Sequence, residues 1–283
     1  MDRVPREEPA PFIFGRLLHE VFEKHSKGVS MEKALDLTTT DWQRKASETT
    51  DPLEQAVRTG ALSQLSDLSE PLTLWEDQYE WEVANLETEE PFEFQYTPSL
   101  VLTGRPDRVG LLDNKIWHVQ NRGLNSSTNF GVYLGLARRH YHEHVYASYL
   151  SQKYKYRQYG GTIFNLVRKL KYRTNITKKN PEGVVKPLSE MFFQHPMVID
   201  LNSDLHHHVM QSVVQWAAKM EEAQHEFFSN GTIPPPNEGA NGGMWGNSPD
   251  VYYRVLVGEI ILEDDRYFKD RIDPYAPVAD AAE

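Results

Sequence analysis

Two stretches set the architecture of this 283-residue chain: Leu100-Val101-Leu102-Thr103-Gly104-Arg105-Pro106-Asp107, and Ile116-Trp117-His118-Val119-Gln120-Asn121-Arg122 a few residues on. Leu100 to Thr103 is short, β-prone and mostly apolar. Gly104 permits a bend before Asp107 and Arg108. Asp113-Asn114 supplies turn chemistry, and Ile116 to Val119 reads as the returning strand. Side chains alternate faces along a strand. Gln120 and Arg122 therefore project together beside Asp107, and Asn121 points away.

A carboxylate, an amide oxygen and a fixed cation side by side suit a hard divalent ion such as Mg²⁺, which takes oxygen ligands and keeps several waters. An ion held there orients water and neutralises a phosphate. The alternative is an ordinary hairpin with a surface Asp–Arg pair, because Gly-x-x-Asp is a common string. Two further segments tip the balance.

The first is Phe14-Gly15-Arg16-Leu17-Leu18-His19-Glu20-Val21-Phe22-Glu23. Positions 14, 17, 18, 21 and 22 form a helical apolar stripe with His19 beside it. Gly15 lies one turn earlier on the face of His19 and leaves room for a phosphate or another chain. Neutral imidazole is a metal ligand, although a lone helical His is more often packed or solvated. The second segment is Tyr141 to Leu150, on one long helix expected from about Gly131 to Tyr154. His142 and Tyr146 share a face there, which suits contact with a nucleic-acid backbone or positioning of a site. An aromatic stripe in the core is the competing reading. A His140/His144 zinc pair lacks the Glu of a His-Glu-x-x-His motif.

In this order the segments resemble a RecB-like nuclease of the PD-(D/E)XK superfamily, of the phage type. Gly15 and His19 match its Gly-x-x-x-His helix, and Gly104 and Asp107 its Gly-x-x-Asp. Gln120, Asn121 and Arg122 stand where Asp/Glu-x-Lys is usual, and His142 and Tyr146 stand at Gln-x-x-x-Tyr. The resemblance spans about residues 12–230. It implies an α/β fold, a central mixed sheet flanked by helices, with an N-terminal helical part covering the site. It implies Mg²⁺ or Mn²⁺ held by Asp107, with His19, Gln120 and the Asn121 carbonyl in support. Asp107, Gln120, Arg122, His142 and Tyr146 would carry the cleavage of DNA phosphodiester bonds, by exonuclease or endonuclease action. Arg122 is the largest departure: Arg is effectively always protonated, so it stabilises charge but takes no proton from water.

Composition bounds the rest. No cysteine is present, which excludes disulfides, thiolate zinc sites and the iron–sulfur cluster that some relatives carry. No apolar run reaches membrane-spanning length, and the charged, Pro-rich first eleven residues are not a signal peptide. An intracellular setting is expected, and the resemblance implies the cytoplasm of a bacterial or phage-infected cell. The net charge of −11 argues against a nucleic-acid binder until its distribution is read. Between Arg138 and Lys179 eleven Lys/Arg face the single acid Glu143, a local charge of +10. Arg138, Arg139, Lys153, Lys155, Arg157, Arg168, Lys169, Lys171 and Arg173, interleaved with tyrosines, form the candidate DNA-binding stripe. A solvated helix end and loop is the bland reading of that run.

The organisation expected is a flexible segment 1–11, a nuclease domain 12–230 and a C-terminal extension 231–283, disordered from about 273. Helices are expected at 12–27, from Ser30 to about 47 and from Asp51 to about 69, with 74–86 ambiguous between helix and strand. Strands follow near 92–97, 100–104, 107–112, 115–121, 161–169 and 190–199. A last helix runs from Asp204, its His206-His207-His208 run on the surface. The leading function is a metal-dependent deoxyribonuclease, with a protein partner in recombination, repair or defence. The alternatives are a catalytically weak pseudonuclease that binds DNA or protein, and an acidic DNA mimic suggested by Glu76 to Glu93.

Overall fold

In the computed structural model, residues 3–5, 10–178, 180, 182–230 and 268–270 are described. In chain order the elements are β1 (Arg3–Pro5), α1 (Ala10–Ser26), α2 (Met31–Glu48), α3 (Pro52–Glu76), β2 (Ala84–Thr88), β3 (Phe92–Thr97), β4 (Leu100–Gly104), β5 (Arg108–Leu112) and β6 (Lys115–Leu124). Then come α4 (Phe130–Ala137), α5 (Tyr141–Lys153), β7 (Gln158–Arg168), β8 (Arg173–Thr174), β9 (Val184–Val185), α6 (Leu188–Met191), β10 (Phe192–Met197), α7 (Asp204–Asn230) and β11 (Phe268–Asp270). The chain divides into two units, one spanning Pro9–Val213 and the other made of Met1–Glu8 and Val214–Glu283. In the smaller unit β1 pairs antiparallel with β11. The extension expected to be disordered from 273 lies outside the described residues.

The larger unit is the α/β architecture expected from sequence. Its central sheet has the order β10-β7-β6-β5-β2. β6 and β7 run parallel, and the other neighbours are antiparallel. The parallel pair needs a crossover, which α4 and α5 supply. The β5–β6 hairpin closes on Asp113 and Asn114, both with positive φ (51° and 59°). That is the primed turn whose twist matches its strands, and Asp and Asn tolerate it. Gly161 also requires its residue type: at φ +135° a Cβ would fall 2.1 Å from the Met197 carbonyl oxygen.

The helical part is built from α1, α2 and α3. The expected α1 stripe, Phe14, Leu17, Leu18, Val21 and Phe22, is buried. Ser30 caps α2 by accepting from Lys33 N, and Asp51 caps α3 by accepting from Leu53 N and Glu54 N. α3 runs past the expected end near Ser69 to Glu76, through Pro71. An interior Pro costs about 3 kcal/mol. Leu68, Leu72 and Trp75, all buried on one face, offset that cost, since each fully buried large side chain contributes about 2 kcal/mol. The ambiguous stretch thus divides into the end of α3 and strand β2.

The single long helix expected over 131–154 is instead two. Asn129 caps α4 by accepting from Val132 N, and the chain leaves the helix at Arg138–His140. The break is held from inside: the His144 ring bonds the Arg138 carbonyl through Nε2 at 2.9 Å and His206 Nδ1 through Nδ1 at 3.0 Å. His206 is therefore buried rather than on the surface as expected, because α7 enters the larger unit's core there. Among the described residues no helix is long and apolar enough to cross a membrane.

Candidate active site

The site forms where α1, the turn after β2 and the bend before β5 meet. The Asn121 N–H donates to Asp107 Oδ2 at 2.8 Å and fixes that carboxylate. His19 Nδ1 lies 3.4 Å from the same oxygen. The Glu89 N–H donates to the Asp107 carbonyl at 3.2 Å, which brings Glu89, a residue in the left-handed region at φ 55°, against the pair. One ligand atom from each of His19, Glu89 and Asp107 lies within 4.8 Å of the others. Arg105 Nε contacts Glu89 Oε2 at 2.7 Å. Burial, then the Asp107 charge, push the Glu89 carboxyl up to about 7, against the pull of Arg105.

Gly104 owes its place to close approach. A Cβ there would lie 2.9 Å from the Phe92 and Tyr146 rings. The Tyr146 hydroxyl donates to the Arg105 carbonyl at 3.3 Å, so α5 grips the Gly104–Asp107 bend from above. Burial, then the nearby Asp107 charge, push the Tyr146 phenol up to about 12, which keeps it a donor. His142 stacks on Tyr146 at 6.4 Å. Burial, then the charges of His140 and Arg122, lower it to about 4, so its imidazole is neutral at pH 7.

On β6 the expected alternation holds. Gln120 is buried, and its Oε1 has no hydrogen-bond partner among the described residues. Arg122 is half-buried. Burial opposes its charge, but Asp107, Tyr133, Glu143 and Tyr146 outweigh that and hold the guanidinium protonated. The Asn121 side chain is turned to the other face, where its Oδ1 accepts from Asn165 Nδ2 at 2.9 Å. The structure thus brings His19, Asp107 and the Asn121 backbone together, with Arg122, His142 and Tyr146 against them. Gly15 has open space where a Cβ would be.

Three buried or half-buried residues escaped the sequence reading: Glu89, His118 and Glu143. For Glu143 a signal existed, since it is the one acid among eleven cations. For His118 the signal was its spacing, two and four residues before Gln120 and Arg122 on an alternating strand. Glu89 stands in the run Glu87-Thr88-Glu89-Glu90, where nothing local sets it apart.

The basic residues do not form one continuous stripe. Arg138 and Arg139 are exposed just before α5. Lys153 pairs with Glu87 at 2.6 Å, beside an open groove of about 470 Å³ lined by Lys27, Asn85, Glu87, Thr88, Glu90 and Lys153. Lys155 and Arg157 precede β7, while Arg168, Lys169, Lys171 and Arg173 lie at or beyond its far end. Eleven residues of strand separate the two groups by roughly 33 Å. Arg168 lies over the Phe130 ring and Lys169 over the Phe14 ring. Arg173 is bound to Glu70 on α3.

An α/β core that gathers two carboxylates and an imidazole at the bend of a central hairpin defines a nuclease-like class of protein. A model of the PD-(D/E)XK nuclease superfamily matches residues 1–229, and the chain belongs to that superfamily, whose members generally use divalent metals such as Mg²⁺ or Mn²⁺. No curated protein matches it.

Proposed function

We propose that the chain is a Mg²⁺- or Mn²⁺-dependent deoxyribonuclease, RecB-like and phage-type, working with a Gln-x-Arg form of the usual Asp/Glu-x-Lys motif. The observation that carries the reading is the convergence of His19, Glu89 and Asp107. Two carboxylates and an imidazole fit a divalent ion, and the buried Gln120 Oε1, without a hydrogen-bond partner among the described residues, is an acceptor in need of one. His19, Glu89 and Asp107 would hold the ion, with Gln120 Oε1 and the Asn121 carbonyl in support. When bound, the ion polarises the scissile phosphate and acidifies an attacking water.

The chain's own groups supply the rest. Arg122 keeps its charge and donates to a phosphate oxygen through its planar fork. Arg105, which pairs with Glu89 in this structure, would offer a second cation to the backbone of the DNA. Tyr146 holds the Arg105 carbonyl and so keeps the Asp107 bend in place. Neutral His142 adds a hydrogen-bonding ring without adding charge. Arg138 and Arg139 extend the positive surface along the substrate.

Incubating linear and circular DNA with wild type and with Asp107→Ala, in Mg²⁺ and in Mn²⁺, tests the reading. Wild type is expected to cleave and Asp107→Ala is not. Cutting of linear DNA alone assigns an exonuclease. Equal cutting by both proteins overturns the site.

A further inference from the structure

Away from the ligand cluster, four planar side chains lie in a row at the sheet edge that β10 forms. The Arg168 guanidinium lies over the Phe130 ring at 4.3 Å. Phe130 stacks on Phe193 at 5.3 Å with 13° between the planes, and Phe193 on His195 at 5.7 Å with 12°. At such separations the rings are offset rather than face to face, so part of each face stays open, and Phe193 is 37% exposed. The Arg168 Nε has no hydrogen-bond partner among the described residues. The row belongs to the face of the sheet that carries the site. Phe193 is in register with Leu166 and so with Arg122, and His195 with Phe164 and so with Gln120. Two strand spacings, roughly 10 Å, separate these positions. α4 covers the strip between them, where Tyr133 meets Phe164 edge-on at 6.0 Å, so the row is a surface of its own beyond that helix.

Packing alone does not ask for this arrangement. A large apolar ring left open on an edge strand is an aggregation liability, yet Phe193 stands there between two parallel rings, with a cation at the end of the row. Parallel π-faces and a guanidinium are what an unpaired nucleic-acid strand uses: the bases stack on the rings and a phosphate meets the charge. In a duplex the base faces are already stacked on one another and are closed to such rings. An extended peptide is the other ligand that an open sheet edge takes, but Pro196 removes a donor from β10 and blunts the edge against a further strand. Burial, then the charge of Arg138, lowers the His195 imidazole, which leaves it a neutral ring at pH 7. We propose that Phe193, with Phe130, His195 and Arg168, is a stacking platform for an unpaired DNA strand. The inference rests on the deoxyribonuclease reading for its choice of DNA and deepens it, because it names a single-stranded segment beside the cut as part of the substrate.

Fluorescence anisotropy of the full chain in EDTA, which prevents cleavage, tests it on three probes: a single-stranded deoxyoligonucleotide, the same sequence as a duplex, and a strand of equal length with abasic sites throughout. Phe193→Leu keeps apolar bulk and removes the π-face. It should weaken binding of the single strand by about fivefold or more, the lower end of what one base–aromatic stack contributes. The duplex and the abasic strand should change by less than about twofold, since their phosphate contacts are untouched. Phe193→Trp should hold or raise the single-strand affinity. Thermal melts check folding, and if Phe193→Leu does not fold, His195→Leu carries the same comparison. Equal losses on all three probes would mean that the ring serves the fold or the charge alone, and would overturn the proposal. No loss on any probe would overturn it too, and would leave the β10 edge to a protein partner. Cleavage is read separately in Mn²⁺. A chain that shows the base-dependent loss but cuts no DNA overturns the nuclease reading and leaves the platform standing, whereas a chain that cuts DNA without that loss overturns the platform alone.

Discussion

His19 Nδ1 lies 3.4 Å from Asp107 Oδ2, although one residue comes from an N-terminal helix and the other from a bend inside the sheet region. With Glu89 beside them, the site has two carboxylates even though its third motif has none. Metal binding should therefore depend on Glu89 as well as Asp107. Asp107→Ala should abolish Mn²⁺ binding in calorimetry, and Glu89→Ala should weaken it about ten- to a hundredfold, the range seen when a supporting group is lost from a metal site. Glu89→Ala with wild-type affinity would return the site to His19, Asp107 and Gln120 alone.

DNA binding should be strongest where cations are both exposed and unpaired with acids in their own fold. Arg138 and Arg139 meet the first condition beside the site, whereas Lys153 is held by Glu87 and Arg173 by Glu70. Replacing Arg138 and Arg139 with Ala should lower affinity and flatten the salt dependence by up to about two phosphate contacts. Replacing Lys153 and Arg173 should change the slope less. The reverse order, measured by fluorescence anisotropy across a salt series, would move the DNA path away from Arg138 and Arg139.

The Gly104 bend should tolerate no side chain. A Cβ at Gly104 meets the Phe92 and Tyr146 rings at 2.9 Å, and overpacking of this kind costs about 1–3 kcal/mol. Gly104→Ala should lower the melting temperature and reduce cleavage by shifting Tyr146 from the Arg105 carbonyl. Tyr146→Phe, which deletes that hydrogen bond alone, should cost about 1 kcal/mol. A Gly104→Ala protein as stable and active as wild type would contradict this account of the motif glycine.

Much of this site was legible because its signals are local. The α1 stripe, the Asp113-Asn114 turn and the alternation of Gln120, Asn121 and Arg122 each follow from spacing within a few residues. Glu89 was not legible, because its role comes from a backbone bond to Asp107 eighteen positions away. The α4–α5 break was hidden for a similar reason. The helical pattern is continuous through Arg138–His140, and what interrupts it is the His144 ring held by Arg138 and by His206 on α7. The acidic run Glu76 to Glu93, which suggested a DNA mimic, proves to be divided among different contacts. Glu87 pairs with Lys153, and Glu89 belongs to the ligand cluster.

Two histidines should make the fold sensitive to mild acid. Burial, then neighbouring cationic groups, lower His142 and His206 to about 4 in the folded chain, against about 6.5 when unfolded. Between those values the unfolded chain binds protons that the folded chain refuses, so stability is complete above about pH 6.5 and declines toward pH 4. Each histidine contributes up to about 1.4 kcal/mol per pH unit across that window. Thermal melts of His142→Gln/His206→Gln should show a flatter decline than wild type between pH 6.5 and 4. An identical slope would place the acid sensitivity elsewhere.

Arg122 separates an active enzyme from a binding module. Arg122 is half-buried, and the charges of Asp107 and Glu143 with two tyrosines keep its guanidinium protonated, so it can steady a phosphate but cannot accept a proton from water. If catalysis rests on the ion and its ligands, wild type should cleave DNA weakly, faster in Mn²⁺ than in Mg²⁺. Arg122→Lys should then raise the rate, by up to the roughly hundredfold or more that one positioned general acid–base group supplies. If the site has become a binding surface, wild type should bind DNA without cutting it. Gln120→Glu with Arg122→Lys should then create cleavage while leaving affinity within about twofold, since the phosphate contacts that dominate affinity lie elsewhere. Vigorous Mg²⁺-dependent cleavage that falls on Arg122→Lys would mean instead that the planar fork of Arg is itself required.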